Sequence, residues 1–98
     1  MNLRVLDEAA AELADAIARY ESIESGLGVR LKEEVRSATD WISGHPELPR
    51  VRSNGHRRVN LRIFPYYIAF LIHAEEIWVL AVAHSARLPE YWITRSLP

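Results

Sequence analysis

Residues 58–84 read RVNLRIFPYYIAFLIHAEEIWVLAVAH, and the periods inside this stretch decide the fold. At its start Val59, Leu61 and Ile63 alternate with Arg58, Asn60 and Arg62, the pattern of a strand with one buried and one polar face. Pro65 cannot donate to a ladder, so it marks a strand boundary or a bulge. Tyr66–His73 and Ile77–His84 are apolar on both faces, and a tight turn at Ala74–Glu76 makes them a hairpin. The purely apolar runs Tyr66–Ile72 and Ile77–Ala83 hold seven residues each. A membrane span would need roughly 18.

Upstream the period is helical. Asn2–Leu6 reads as a short strand with Leu3 and Val5 on one face. Asp7 is the expected N-cap of a first helix, and Glu8 in its first turn suits the helix dipole. Ala10, Leu13, Ile17 and Tyr20 repeat at helical spacing, and Asp15 and Arg19 are placed to pair. Gly26 stops that helix, and a second apolar series, Leu27, Leu31, Val35, Ala38 and Ile42, runs to Gly44 and Pro46. The expected order is β-α-α-β-β-β: one α+β domain over residues 1–98, with a helical hairpin on one face of a small antiparallel sheet. Strands that are apolar on both faces need a second cover. Either the segment holding Tyr91, Trp92, Ile93 and Leu97 folds back, or another chain supplies it, since uncovered apolar patches of several hundred Å² mark interaction sites.

Composition narrows the chemistry. A chain of 98 residues with 49% hydrophobic side chains makes one core. The absence of cysteine excludes disulfides and thiolate metal sites and suits a reducing cytoplasm, the expected location. The N-terminus, acidic at Asp7 and Glu8, does not read as a secretory leader. His45, His56, His73 and His84 are too dispersed for metal-ligand spacing, and neither a glycine-rich phosphate loop nor a nucleophile elbow occurs. No metal and no cofactor are expected. Net charge is −1, but residues 1–47 carry 5 basic and 10 acidic side chains while residues 48–98 carry 7 and 3. Between Leu48 and Ala74 there is no acidic residue, and Arg50, Arg52, Arg57, Arg58 and Arg62 fall there. A local patch of this kind fits an acidic partner or anionic target, or else a solvated sheet edge.

The strand end His84, with Arg87 and Tyr91 behind it, carries the residue types for RNA cleavage through a 2′-hydroxyl: a proton carrier and a cation for the transition state. The competing reading has His84 satisfied by backbone and Arg87 stacked on Trp92 or Tyr91. Arg58 and Arg62, on a polar strand face, are solvated by default. Trp41, Trp78 and Trp92 read as core and capping residues rather than base-stacking platforms.

Taken in order, GLGVRLKEEV (26–35), HPELP (45–49), the basic strand into FPYYIAF (64–70) and IWVLAVAHSARLPEYW (77–92) resemble the RelE/ParE toxin superfamily, on its ParE-like, plasmid-stabilisation branch. The resemblance covers roughly residues 3–95 and rests on the ordered combination of motifs. It implies a growth-inhibiting toxin of a type II toxin–antitoxin system, forming a hetero-oligomer with a ParD-like or similar antitoxin that wraps it. It also implies DNA gyrase as target, acting by inhibition rather than catalysis. RelE-type relatives instead cleave mRNA on the ribosome, using lysines, arginines and a late tyrosine or histidine. This chain has one lysine, Lys32, on the second helix, and a pI of about 6.4, against that alternative and against direct nucleic-acid binding. Carried over by position, target contacts fall on Arg87, Arg58 and Arg62. Antitoxin contacts fall on Arg58, Arg62, Tyr66, Ile68, Trp78 and Leu80, and Arg87, His84 and Tyr91 are the catalytic candidates of a ribonuclease. A member that binds its antitoxin without being toxic is the third possibility.

Overall fold

The computed structural model describes all of residues 1–98: β1 (Asn2–Val5), α1 (Asp7–Ile23), α2 (Leu27–Gly44), β2 (Arg57–Asn60), β3 (Tyr66–His73) and β4 (Glu76–His84), with 3-10 turns at Ser53–Gly55 and Pro89–Tyr91. The strands form one sheet in the order β1-β4-β3-β2. The meander β2–β3–β4 is antiparallel, as expected, but β1 lies parallel to β4, so the sheet is mixed. Hairpin turns dictate direction only along the meander. The long connection between β1 and β4 leaves a parallel pairing open.

The helices begin where tertiary bonds put them. Leu6, not Asp7, is the N-cap residue, with φ −62°, ψ 147° and no side-chain cap. Its N–H is tied to the Val79 carbonyl at 3.0 Å and its side chain is buried, so strand pairing starts α1 one residue early. Asp7 and Glu8 then both lie in the first turn, where the dipole favours them. The Asp15–Arg19 pair does not form; Arg19 donates to the Tyr66 hydroxyl at 3.1 Å instead. Between the helices Gly26 takes φ 90°, and the Glu21 carboxylate accepts from the N–H groups of Gly26 and Gly28 at 2.8 and 2.9 Å. The Gly26 bond, foremost, holds the Glu21 pKa below its ordinary value.

β2 ends at Asn60 rather than running to Ile63. Glu34 of α2 accepts the N–H groups of both Arg62 and Ile63, drawing the backbone out of the ladder and leaving Ile63 68% exposed. The β3–β4 turn is Ala74-Glu75, both at positive φ, and a bulge at Ala69/Phe70 shifts the register. One face of the sheet packs on the helices. On the other the C-terminal segment folds back: Trp92 is fully buried, and its indole N–H donates to the Tyr67 hydroxyl at 2.9 Å. Much of the second cover therefore comes from the chain itself.

Gly28 fixes how closely the helices approach, because a Cβ there would sit 2.5 Å from the Ile17 carbonyl oxygen. Gly28→Ala should lower stability by about 1–3 kcal/mol, the usual cost of overpacking. Gly44→Ala, where a Cβ meets nothing within 4 Å, should change it by less than about 0.5 kcal/mol. Chemical denaturation of the two variants beside the parent checks both values.

Candidate functional site

β4 outruns its neighbour. β1 pairs with it only as far as Val79, so the outer edge from Leu80 onward lacks a strand partner. Side chains close it. The Glu12 carboxylate of α1 accepts the Val82 N–H at 3.2 Å, and Arg95 donates to the Leu80 carbonyl at 2.8 Å. Arg95 also grips both Glu12 oxygens at 3.0 Å, fork to fork. Beside this seal, between α1 and the end of β4, opens a cleft of about 510 Å³ lined by Glu12, Asp15, Arg19, His84, Arg87 and Tyr91, among others.

Three residues singled out in the sequence, His84, Arg87 and Tyr91, thus share one cleft. Their geometry is that of the bland alternative. His84 Nδ1 accepts the Ala86 N–H at 3.0 Å, and the ring stands edge-on to Tyr66 at 5.1 Å. Arg87 is exposed, with its guanidinium carbon over the Tyr91 ring, 3.8 Å from its centre. Burial, reinforced by the Glu12 charge and a hydrogen bond to it, pushes the Tyr91 phenol up to about 12. A phenol so reluctant to ionise is a poor proton acceptor near neutral pH. Asp15 and Glu12 in the same cleft oppose the approach of a phosphodiester. What the cleft offers is a pre-set guanidinium at its rim.

The other predicted residues lie elsewhere. Arg58 sits at the opposite face, its guanidinium 4.5 Å from the Tyr67 ring centre and 5.7 Å from that of Trp92. Its Nε donates to His56 Nε2 at 3.2 Å, so it is not a free strand-face arginine. Arg62 is exposed on the loop held by Glu34. Tyr66, Ile68 and Leu80 are 5%, 0% and 3% exposed, committed to the chain's own core, whereas Trp78 is half-buried beneath Arg4. The three arginines assigned to one target surface therefore occupy three separate places.

Two features escaped the sequence. His56, the one buried polar side chain, donates from Nδ1 to the Ser53 carbonyl at 2.7 Å, and its pKa is lowered chiefly by burial and further by Arg58 and Arg52. The Glu12–Arg95 pair joins residues 83 positions apart, beyond any local pattern.

A helical hairpin on a four-stranded mixed sheet, with a basic second half, defines a small α+β domain. Residues 3–89 match the family model described as ParE toxin of type II toxin–antitoxin system, parDE. The chain belongs to this family of toxins. Among solved structures it is similar to one titled "Chromosomal ParDE TA system from P. aeruginosa", with TM-score 0.66 and 19% identity, covering 86% of this chain and 95% of that one. At that identity the likeness shows the shared fold. No curated protein matches the chain.

The Tyr91 environment makes a direct prediction. Its phenol should ionise at about 12 rather than near 10 in an ultraviolet titration, and Glu12→Gln should bring it down. The folded-state pKa is raised, so the stability drawn from the neutral phenol is fully present below pH 10 and is lost as pH rises towards 12.

Proposed function

We propose that the chain is a cytoplasmic toxin neutralised by direct binding of a cognate, ParD-like antitoxin, and that it acts on DNA gyrase. The observation carrying this reading is the family match over residues 3–89. Gyrase ranks above mRNA because the cleft pairs a high-pKa phenol with two carboxylates instead of a lysine-rich phosphate site. In this reading Arg87, exposed and supported by the Tyr91 ring, is the leading contact to the target. The antitoxin covers Trp78, still half-open beside Arg4, and reaches Arg58 and Arg62; Tyr66, Ile68 and Leu80 support that surface from beneath. Apolar burial dominates its affinity, because exposed ion pairs contribute only about 0–1 kcal/mol each. Charge instead speeds association.

A ribosome-dependent nuclease is the second reading, favoured by one observation: His84, Arg87 and Tyr91 do line a common cleft.

Induction of the chain alone in bacteria should arrest growth or cause filamentation, relieved by co-expressing the neighbouring gene. Normal growth with abundant folded protein would leave a non-toxic antitoxin binder. One preparation should inhibit gyrase supercoiling and leave ribosome-bound message intact; cleaved message with gyrase unaffected would make His84 and Arg87 catalytic candidates.

Arg87→Ala should weaken growth arrest more than it weakens antitoxin binding. Toxicity scored beside the antitoxin dissociation constant, for Arg87→Ala and Arg58→Ala, makes that comparison. Undiminished toxicity in both would remove these arginines from the target surface.

A further inference from the structure

His56 is only 2% exposed, and both of its ring nitrogens are engaged. An arginine nitrogen can only donate, so the Arg58 Nε–H, at 3.2 Å, makes His56 Nε2 an acceptor. Nδ1 therefore carries the ring proton and donates it to the Ser53 carbonyl at 2.7 Å. These contacts fix one neutral tautomer. A second proton has one place to go, Nε2, and there it meets a guanidinium with no lone pair to offer.

The loop leaves the ring little freedom to turn away. Arg52 N–H donates to the His56 carbonyl at 2.7 Å, Gly55 N–H donates to the Arg52 carbonyl at 3.0 Å, and Asn54 and Gly55 close the turn at positive φ. On the other side stands Trp92, nearly perpendicular to the histidine ring, with the two ring centres 4.9 Å apart. Arg58 completes the cluster. Its guanidinium carbon lies 4.5 Å from the Tyr67 ring centre and 5.7 Å from that of Trp92, whose indole N–H returns to the Tyr67 hydroxyl at 2.9 Å. The groups facing His56 are Arg58 from β2, Arg52 and the Ser53 carbonyl from the loop, Trp92 from the C-terminal segment and, beyond Arg58, the Tyr67 phenol from β3. None of them is a carboxylate.

We propose that His56 is a proton-operated latch on the C-terminal cover of the sheet: neutral, it holds Arg58 across Tyr67 and Trp92; protonated, it repels Arg58 and unseats Trp92. A charged ring at this depth has no counter-ion, and it can reach water only if Trp92, itself 0% exposed, gives way. Arg95, further along the segment, keeps its fork to Glu12 and its bond to the Leu80 carbonyl, so the opening is confined to Trp92 and Arg58. The latch is a property of the free chain and holds whether or not the chain is a toxin.

The energetics have a definite sign. Burial, foremost, with the Arg58 and Arg52 charges, lowers the His56 pKa from its ordinary 6.5, against the Ser53 hydrogen bond, which favours the proton. The folded-state pKa is depressed, so the stability drawn from neutral His56 is fully present above pH 6.5 and is lost as pH falls from there towards the folded-state value. Within that window the folded-to-unfolded ratio falls by up to about tenfold per pH unit on account of this one ring.

The test uses the full chain, isotopically labelled and titrated from about pH 8 to about pH 4. At the upper end the nitrogen–proton spectrum of the His56 ring should show the Nδ1–H tautomer. On acidification the Trp92 indole N–H and the Arg58 Nε–H should shift in step with the His56 ring. Charging of His45, His73 and His84, read in the same spectra, should leave the Trp92 indole in place. Urea denaturation across the same range should lose part of its acid sensitivity in His56→Gln, whose amide oxygen can still accept from Arg58 but does not titrate. Arg58→Met keeps apolar packing on Tyr67 and Trp92 while removing the like charge, so it should raise the His56 pKa without altering the histidine. The proposal is overturned by an Nε2–H tautomer at about pH 8, by a Trp92 indole that stays in place while His56 titrates, or by unfolding of the whole chain before the ring charges. Undiminished acid sensitivity in folded His56→Gln, or an unchanged His56 pKa in Arg58→Met, overturns it equally.

Discussion

The fork between Glu12 and Arg95 is the contact on which the rest of the structure turns. A strand that extends past its neighbour exposes a row of unpaired N–H and C=O groups, and β4 does so from Leu80 onward. Glu12 takes the Val82 N–H and Arg95 takes the Leu80 carbonyl, so two side chains stand in for part of a missing strand. Arg95 and Glu12 are well shielded, at 14% and 19% side-chain exposure, so losing one partner would leave a poorly solvated charge against an open edge. The penalty is of order 3 kcal/mol for buried pairs, a large part of the stability of a domain this small.

The same contact determines where the C-terminal segment runs. With Arg95 anchored at the β4 edge and Trp92 buried against Tyr67, the 3-10 turn at Pro89–Tyr91 must lie between them. Tyr91 is thereby set beside Glu12, where its phenol is hard to ionise and its ring supports Arg87. Trp92 closes the far face and supports Arg58. Two arginines on different surfaces are thus held by consecutive aromatic residues of one turn, itself dependent on a bond from α1.

How far the sequence carries depends on whether a signal is local. The helical series of α2, from Leu27 to Gly44, and the alternating strands appear at the expected positions because periodicity is a property of neighbours in sequence. The early end of β2 was not legible, because Glu34, 28 residues upstream, captures the Arg62 N–H. Asp7 looked like a cap because capping chemistry is local; the bond from Leu6 to Val79 is not. The parallel setting of β1 is equally non-local. At the candidate site, the convergence of His84, Arg87 and Tyr91 was legible from spacing along one strand end and turn. Their chemical state was not, since it depends on Glu12 and on burial. His56 gave no signal because a single histidine in a polar loop looks the same whether it is solvated or buried.

These distinctions bear on how such a small fold binds. Arginine side chains lose considerable rotamer freedom when they are fixed by a partner, a cost near 2 kcal/mol for a fully mobile chain. Arg87 on Tyr91 and Arg58 on Tyr67 have already lost much of it in the free protein. Their uncommitted N–H groups remain available to an anion at a reduced ordering cost. Arg62, exposed and without an aromatic support, would still have to be ordered on binding. The geometry therefore ranks equal charges unequally: Arg87 and Arg58, seated on aromatic rings, are better prepared to bind than the freely projecting Arg62.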